Sequence, residues 1–273
     1  MDKSVVAVGV VDFFLELTDE DLNIPQTLDL SIFHELDIPI TISEIENAIS
    51  ESKVYKSPGF DNIINEFFKN FSTFFSPLLQ KLFNVILNSG CYPTIWSQGI
   101  IVPVYKKGDV NNPDNYRGIT LLSHMSKLFT SILNKRLLSW SDLNSVVTDA
   151  QFGFKPGSGT RDAIFVLHSL ISKTLREKKR LYCCFVDYRK AFDSIQHNKM
   201  WYKLMKYGIN GKLFNVIKSM FCDLKSCVKM DGHFSEYFSL KTGLMQGEAL
   251  SPMLFSLFIN DLEKEMVANC VTV

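Results

Sequence analysis

The sequence has no Cys-x-x-Cys pair, no Asp-Asp dipeptide and no apolar run long enough to cross a bilayer. Each absence removes a class of protein. Six cysteines stand at positions 91, 183, 184, 222, 227 and 270, and the five histidines are scattered, so no zinc site is indicated. This cysteine use fits a reduced intracellular compartment, nuclear or cytoplasmic, in which Cys183 and Cys184 are ordinary buried thiols. The apolar stretch SVVAVGVV follows a single lysine and ends at Asp12, which makes a poor signal peptide and no membrane span. No targeting signal, internal repeat or low-complexity tract is seen. Net charge is also missing: 29 Lys and Arg stand against 29 Asp and Glu.

That zero conceals a split. Residues 1–50 carry one lysine and eleven acids, whereas residues 51–273 carry 28 Lys and Arg against 18 acids. An acidic leader thus precedes a basic body, an asymmetry that points toward nucleic acid. With 46% hydrophobic residues in 273, the chain can bury a substantial core as one large domain or two smaller ones.

Residues 1–40 show no clear period and are read as a poorly defined leader. Ser43, with Glu46 three residues on, predicts a capped helix that stops before KSPGFD. A longer helix is expected over Glu66 to Asn88, interrupted near Ser76–Pro77. Its five phenylalanines between 67 and 75 are read as a core face rather than as base-stacking groups. GIIVPVYKKGD predicts a strand running into a basic turn, and ITLLSHMSKLFTSILNKRLLSW a loop followed by an amphipathic helix. A helix is expected from about Thr160, then a buried strand over Leu181–Val186. Two short helices divided at Gly208 and Gly211 follow, then a hairpin turning at Asp231–Gly232. Ser251 and Pro252 are expected to cap and open a last helix with Leu254, Phe258 and Leu262 on one face. Strands and helices mix without regular alternation, which makes the fold class α+β.

Asp187 ends the apolar run of LYCCFVDYRKAFDSI. A carboxylate at a strand end is more often a turn former or helix cap than a metal ligand, though Mg²⁺ does take such hard oxygen donors beside substrate phosphates. PGSGT is not a Walker loop, because the spacing from Gly153 requires Gly-Lys at 158–159 and finds Ser-Gly. A glycine-rich approach to a helix can nevertheless meet a phosphate or a nucleic-acid backbone, and a plain turn explains it equally well. Lys106, Lys107 and Arg117 flank a loop, where cations commonly form a solvated face.

Five stretches combine these weak signals: KSPGFDNIINEFFK, IIVPVYKKGDVNNPDNYRGITLLS, QFGFKPGSGTRDAIF, YCCFVDYRKAFDSIQH and GLMQGEALSPMLFSLFINDL. In this order and spacing, over about residues 45–262, the chain resembles the reverse transcriptases of non-LTR (LINE-type) retrotransposons. The resemblance implies an RNA-directed DNA polymerase shaped like a right hand, with partners RNA template, DNA primer and dNTP, and with Mg²⁺ as cofactor. It divides the chain into the leader at 1–40, fingers and the N-terminal part of the domain at 41–180, and a partial palm at 181–273. It makes Asp187 a catalytic metal ligand and Phe192 the aromatic gate that excludes a ribose 2′-hydroxyl. Lys106 and Arg117 become triphosphate-neutralising finger residues, and Gln246 and Gly247 the loop beneath the templating pair. Gly153, Phe154 and Gly157 become a segment lying along the template. In the family, two metals are completed by an aromatic-x-Asp-Asp hairpin. Its absence here leads to the expectation of a C-terminally truncated domain without a thumb, inactive as it stands. The alternatives are a non-catalytic fragment that binds RNA or an RNA–DNA hybrid, and a group II intron maturase. GEA where GDP is more usual after Gln246 is a smaller departure.

Overall fold

The computed structural model describes residues 33–262, apart from positions 184 and 189. The leader up to residue 32, Cys184, Arg189 and the closing VANCVTV therefore lie outside the described residues. Eight α-helices appear among those described: α1 (Ile42–Glu51), α2 (Asn65–Asn70), α3 (Ser72–Ser89), α4 (His124–Leu143), α5 (Thr160–Arg176), α6 (His197–Lys206), α7 (Lys212–Cys222) and α8 (Ser251–Ile259). Five strands join them: β1 (Gln98–Tyr105), β2 (Tyr116–Leu121), β3 (Lys225–Met230), β4 (His233–Phe234) and β5 (Phe238–Ser239).

The sheet runs β2-β1-β3-β4, with β5 also on β3. β1 is central, antiparallel to β2 and parallel to β3, with Gly99 opposite Ser226. This mixed arrangement of helices around a sheet agrees with the α+β expectation. Pro103 can occupy β1 because the pairing with β3 covers only residues 98–101, so no ladder bond is asked of its missing N–H. The core joins Phe83, Phe129, Leu133 and Trp140 to Leu213, Val216 and Leu254, so α3, α4, α7 and α8 share one apolar interior. Asp231 and Gly232 both take positive φ, as a two-residue hairpin demands, and the break between α6 and α7 falls at Gly208–Gly211 as the sequence suggests.

Several expectations need correction. α1 is capped by Thr41 with Glu44, not by Ser43 with Glu46: the Thr41 hydroxyl accepts from Glu44 N (3.2 Å) and Glu44 Oε2 accepts from Thr41 N (2.8 Å). The choice is tertiary, because the same Glu44 carboxylate takes the Arg136 guanidinium from α4, at 2.7 Å from Nε and 3.0 Å from Nη2. The helix break after Glu66 comes at Phe71, with Pro77 inside α3. Residues 119–121, read as loop, belong to β2. Of the five phenylalanines, Phe68 is buried and Phe75 packs on the core, whereas Phe67, Phe71 and Phe74 are exposed. In one unbroken helix residues 67, 68, 71, 74 and 75 would share a single stripe, but the break at Phe71 divides them between α2 and α3, which face the core differently.

The largest correction concerns Leu181–Val186. Its described residues form no strand, and Tyr182 is 69% exposed. No described strand runs beside the segment to take up its N–H and C=O groups, and a lone extended run has no ladder to hold it. Helix α5 just before it likewise buries none of its residues.

Arg136 is itself buried, and besides Glu44 it donates to the carbonyls of Leu36 (3.3 Å), Ile38 (2.6 Å) and Pro39 (3.2 Å). Arg136→Met therefore strands three carbonyls and a carboxylate, and should lower the unfolding free energy by about 3 kcal/mol in urea melts. Burial raises the Glu44 carboxyl, but the Arg136 and Thr41 hydrogen bonds outweigh it and leave the group below its ordinary value of 4.5. Its stabilisation is thus complete above that value and lost as pH falls through the lower folded one. Glu44→Gln should flatten the acid side of the stability curve in that window.

Candidate functional site

The β1–β2 hairpin sets the first wall of a cavity of about 930 Å³. Its loop is held by Lys106 N donating to Asn115 O (2.9 Å) and Asn115 Nδ2 donating to Asp109 O (2.8 Å). Gly108, at φ +100°, is required there: a Cβ would lie 2.6 Å from Asn115 Nδ2. This rigid loop places Lys106 and Arg117 on the cavity wall. Neither has an acidic partner within ion-pair distance among the described residues, so both charges remain available to an anion.

The second wall carries Asp187, Tyr188, Lys190, Phe192 and Asp193. Asp193 N and Ser194 N both donate to Lys190 O (2.9 and 3.0 Å), forming a tight turn that swings Phe192 inward. Across the mouth Lys190 Nζ meets Asp114 Oδ1 at 3.2 Å. Both partners are exposed, so this contact contributes little to stability, but it joins the two walls.

The floor is Met245, Gln246, Gly247 and Glu248. Leu244 N donates to Phe192 O (2.8 Å), Gly243 N to Ile195 O (2.7 Å), and Thr120 N to Gln246 O (2.8 Å). Gly247 lies at φ +120°, and a Cβ on it would meet Thr120 O at 2.6 Å. Glycine is thus demanded twice, by conformation and by space.

Phe192 is fixed from behind by Phe255 of α8, stacked at 4.9 Å with 11° between the rings, and Phe154 meets Phe192 edge-on at 5.9 Å. The structure therefore brings together Asp187, Lys106, Arg117, Phe192, Gln246, Gly247 and Phe154. Gly153 lines a separate small groove with Lys155 and Pro156, and Gly157 stands in open space at φ +76°, away from the cavity. Sequence reasoning missed Phe255 and Glu248. Leu254 and Phe258 define the inward stripe of α8, and Phe255 lies off it, so periodicity does not single it out.

Asp261 is not free to serve as a second ligand. The buried Lys203 ammonium of α6 takes its carboxylate and also donates to Phe258 O at 2.5 Å. Among the described residues no three His, Cys, Asp or Glu side chains converge on one point. The exposed Asp187 carboxylate does fit a Mg²⁺ that arrives with phosphate oxygens, since that ion is commonly held by one or two carboxylates and its substrate.

Residues 104–273, more than half of the chain, match the family described as reverse transcriptase (RNA-dependent DNA polymerase). The chain belongs to that family. It is 31% identical over 225 residues to a probable RNA-directed DNA polymerase from transposon BS of Drosophila melanogaster, covering 82% of this chain and 25% of the relative. It is 27% identical over 224 residues to the RNA-directed DNA polymerase from mobile element jockey of the same species, covering 82% and 24%. The chain thus spans about a quarter of the length of these curated relatives. Among solved structures it is 15% identical to a chain of a partial Cas6-RT-Cas1--Cas2 complex, with a TM-score of 0.43, covering 85% of this chain and 34% of that one. Similarity to retrotransposon polymerases agrees with the resemblance read from the five motifs. No helix among the described residues is long and apolar enough to cross a membrane.

The glycine geometry of this reverse transcriptase chain gives a direct test. Gly247→Ala should lower stability by about 2 kcal/mol through strained backbone and the clash with Thr120 O. Gly153→Ala, with nothing within 4 Å, should stay within about 0.5 kcal/mol of wild type. Paired denaturant titrations decide both.

Proposed function

We propose that this chain is the nucleotide-binding part of a retrotransposon RNA-directed DNA polymerase, shaped as fingers and a partial palm. The observation that carries the reading is the cavity in which two uncommitted cations, Lys106 and Arg117, face an exposed carboxylate, Asp187, and a braced aromatic, Phe192. The cations suit a triphosphate, because preorganised charges in a shaped site stabilise phosphate oxygens at no reorganisation cost. Phe192, backed by Phe255, presents a fixed ring edge against which a ribose 2′-hydroxyl collides and a deoxyribose does not. Gln246 and Gly247 offer a backbone surface beneath the templating pair. Phe154, with Gly153 and Gly157 on the same loop, guides the template.

Asp187 would hold Mg²⁺, which when bound neutralises developing charge on the transferring phosphoryl group. Two-metal transfer needs more carboxylate than Asp187 supplies, and Asp261 is occupied by Lys203. The sequence contains no Asp-Asp dipeptide. We infer that this sequence alone binds its substrates without extending a primer.

The test is a primer-extension assay on an RNA template with dNTPs and Mg²⁺, run beside a binding titration. The expected result is no extension, together with hybrid binding that weakens steeply from 50 to 200 mM salt as phosphate contacts release counterions. Lys106→Ala with Arg117→Ala should weaken dNTP binding at least tenfold. Extension that is lost in Asp187→Ala would overturn the inactivity claim, and salt-insensitive binding would overturn the nucleic-acid reading.

A further inference from the structure

Gln246 and Gly247 lie in neither helix nor strand, yet their position decides the cavity floor. β2 holds them from one side, through Thr120 N to Gln246 O and the close approach of Gly247 to Thr120 O. From the other side the next residue, Glu248, turns inward and is only 4% exposed. Its Oε2 accepts from Leu250 N at 2.6 Å and from Ser251 N at 3.1 Å, at the start of α8. Leu250, the residue at the N-cap position, makes no side-chain cap bond. The Ser251 hydroxyl, which the sequence suggested as the cap, finds no partner, and neither does Glu248 Oε1.

The first N–H groups of α8 thus depend on a side chain that belongs to the loop. The same helix carries Phe255, the ring stacked behind Phe192. Around Glu248, α4 presents Lys127 and Thr130, and Tyr92 lies near with its hydroxyl committed to Ser126 at 2.6 Å. Burial pushes the Glu248 carboxyl upward, and the N–H groups at the start of α8 draw it part of the way back down. A buried acceptor in this position is costly unless it holds something in place.

We propose that Glu248 is a positioning residue: by capping α8 from within the loop, it locks Gln246 and Gly247 against β2 and sets the ring pair Phe255–Phe192. The functional consequence rests on the nucleotide-site reading above, whereas the coupling of cap to loop does not. An amide accepts the same N–H groups through its oxygen, so glutamine preserves the device and an acceptor-free side chain destroys it. The wider cavity depends on this joint: among the described residues no other side-chain hydrogen bond ties the loop to α8.

Hydrogen exchange of the whole chain, resolved to single amides, tests the proposal in wild type, Glu248→Ala and Glu248→Gln. In Glu248→Ala the amides of Leu250 and Ser251 should exchange at least tenfold faster, and so should those of Thr120 and Leu244, which tie the loop to β2 and to Phe192, with α4 and α7 unchanged. Glu248→Gln should return all four to within about threefold of wild type. Faster exchange confined to Leu250 and Ser251 would reduce Glu248 to a helix cap and overturn the coupling. Unchanged exchange would overturn both. If Glu248→Ala does not fold, Glu248→Leu, which fills the space without an acceptor, takes its place. Failure of both beside a folded Glu248→Gln assigns the residue to global stability and also overturns the proposal. In parallel, dTTP with Mg²⁺ is titrated into each protein carrying an oligo(rA)·oligo(dT) hybrid. Affinity should fall five- to tenfold in the acceptor-free variant and recover in Glu248→Gln. Wild type that binds no dTTP speaks against the nucleotide-site reading and leaves the exchange result standing.

Discussion

One guanidinium organises the N-terminal third of the described fold. Arg136 reaches from the middle of α4 and divides its donors among one carboxylate and three carbonyls that do not otherwise meet. A planar fork with fixed N–H directions can do this, and the flexible point charge of a lysine cannot. Once residues 36–44 are fixed in this way, Ile40 exchanges hydrogen bonds with Asn84, and α1 is laid across α3 and α4. The apolar interior then closes around Phe83 and Phe129. Much of the core depends on polar contacts made at its edge.

The cavity obeys a related rule. Its walls come from regular elements, a strand hairpin and a short turn, and its floor is a loop without a ladder of its own. Such a loop keeps one shape only if its polar groups are answered individually, and here β2 and residues 192–195 answer backbone groups while the α8 start answers the Glu248 carboxylate. Charge is apportioned with similar economy. Lys203 is consumed by Asp261 inside the protein, and Lys190 by Asp114 at the rim, which among the described residues leaves Lys106 and Arg117 as the cations facing the cavity without an acidic neighbour.

Features set by a few adjacent residues could be read from the sequence. The Asp231–Gly232 turn, the glycine break between α6 and α7, and the β-branched run of β1 all depend on local conformation, and all are found. Features settled by distant partners could not. The Thr41–Glu44 cap prevails over Ser43–Glu46 because Arg136, 92 residues from Glu44, draws on the same carboxylate. Leu181–Val186 has a strand's composition, but strandhood is a property of a pair, and no described neighbour pairs with it. The gathering of Lys106, Arg117, Phe192 and Gln246 around Asp187 was legible only through the order of five motifs, since each alone has a bland explanation. The roles of Phe255 and Glu248 were not legible, Glu248 standing out only as the departure in GEA: both roles are contacts, and neither periodicity nor charge pattern encodes a contact between α8 and a loop.

The parallel pairing of β1 with β3 sets a schedule for the chain's birth. Gly99 and Ser226 lie side by side, yet 127 residues separate them, and Tyr92 N to Ser219 Oγ spans the same distance. Residues made early in translation wait through four helices before their neighbours emerge. Closing so long a loop costs chain entropy that only the late contacts repay, so β3 joins the local β1–β2 hairpin in a late step. Until then the β1–β2 ribbon leaves bare the β1 edge that will receive β3. During that interval the nascent chain is most open to pairing with the wrong strand.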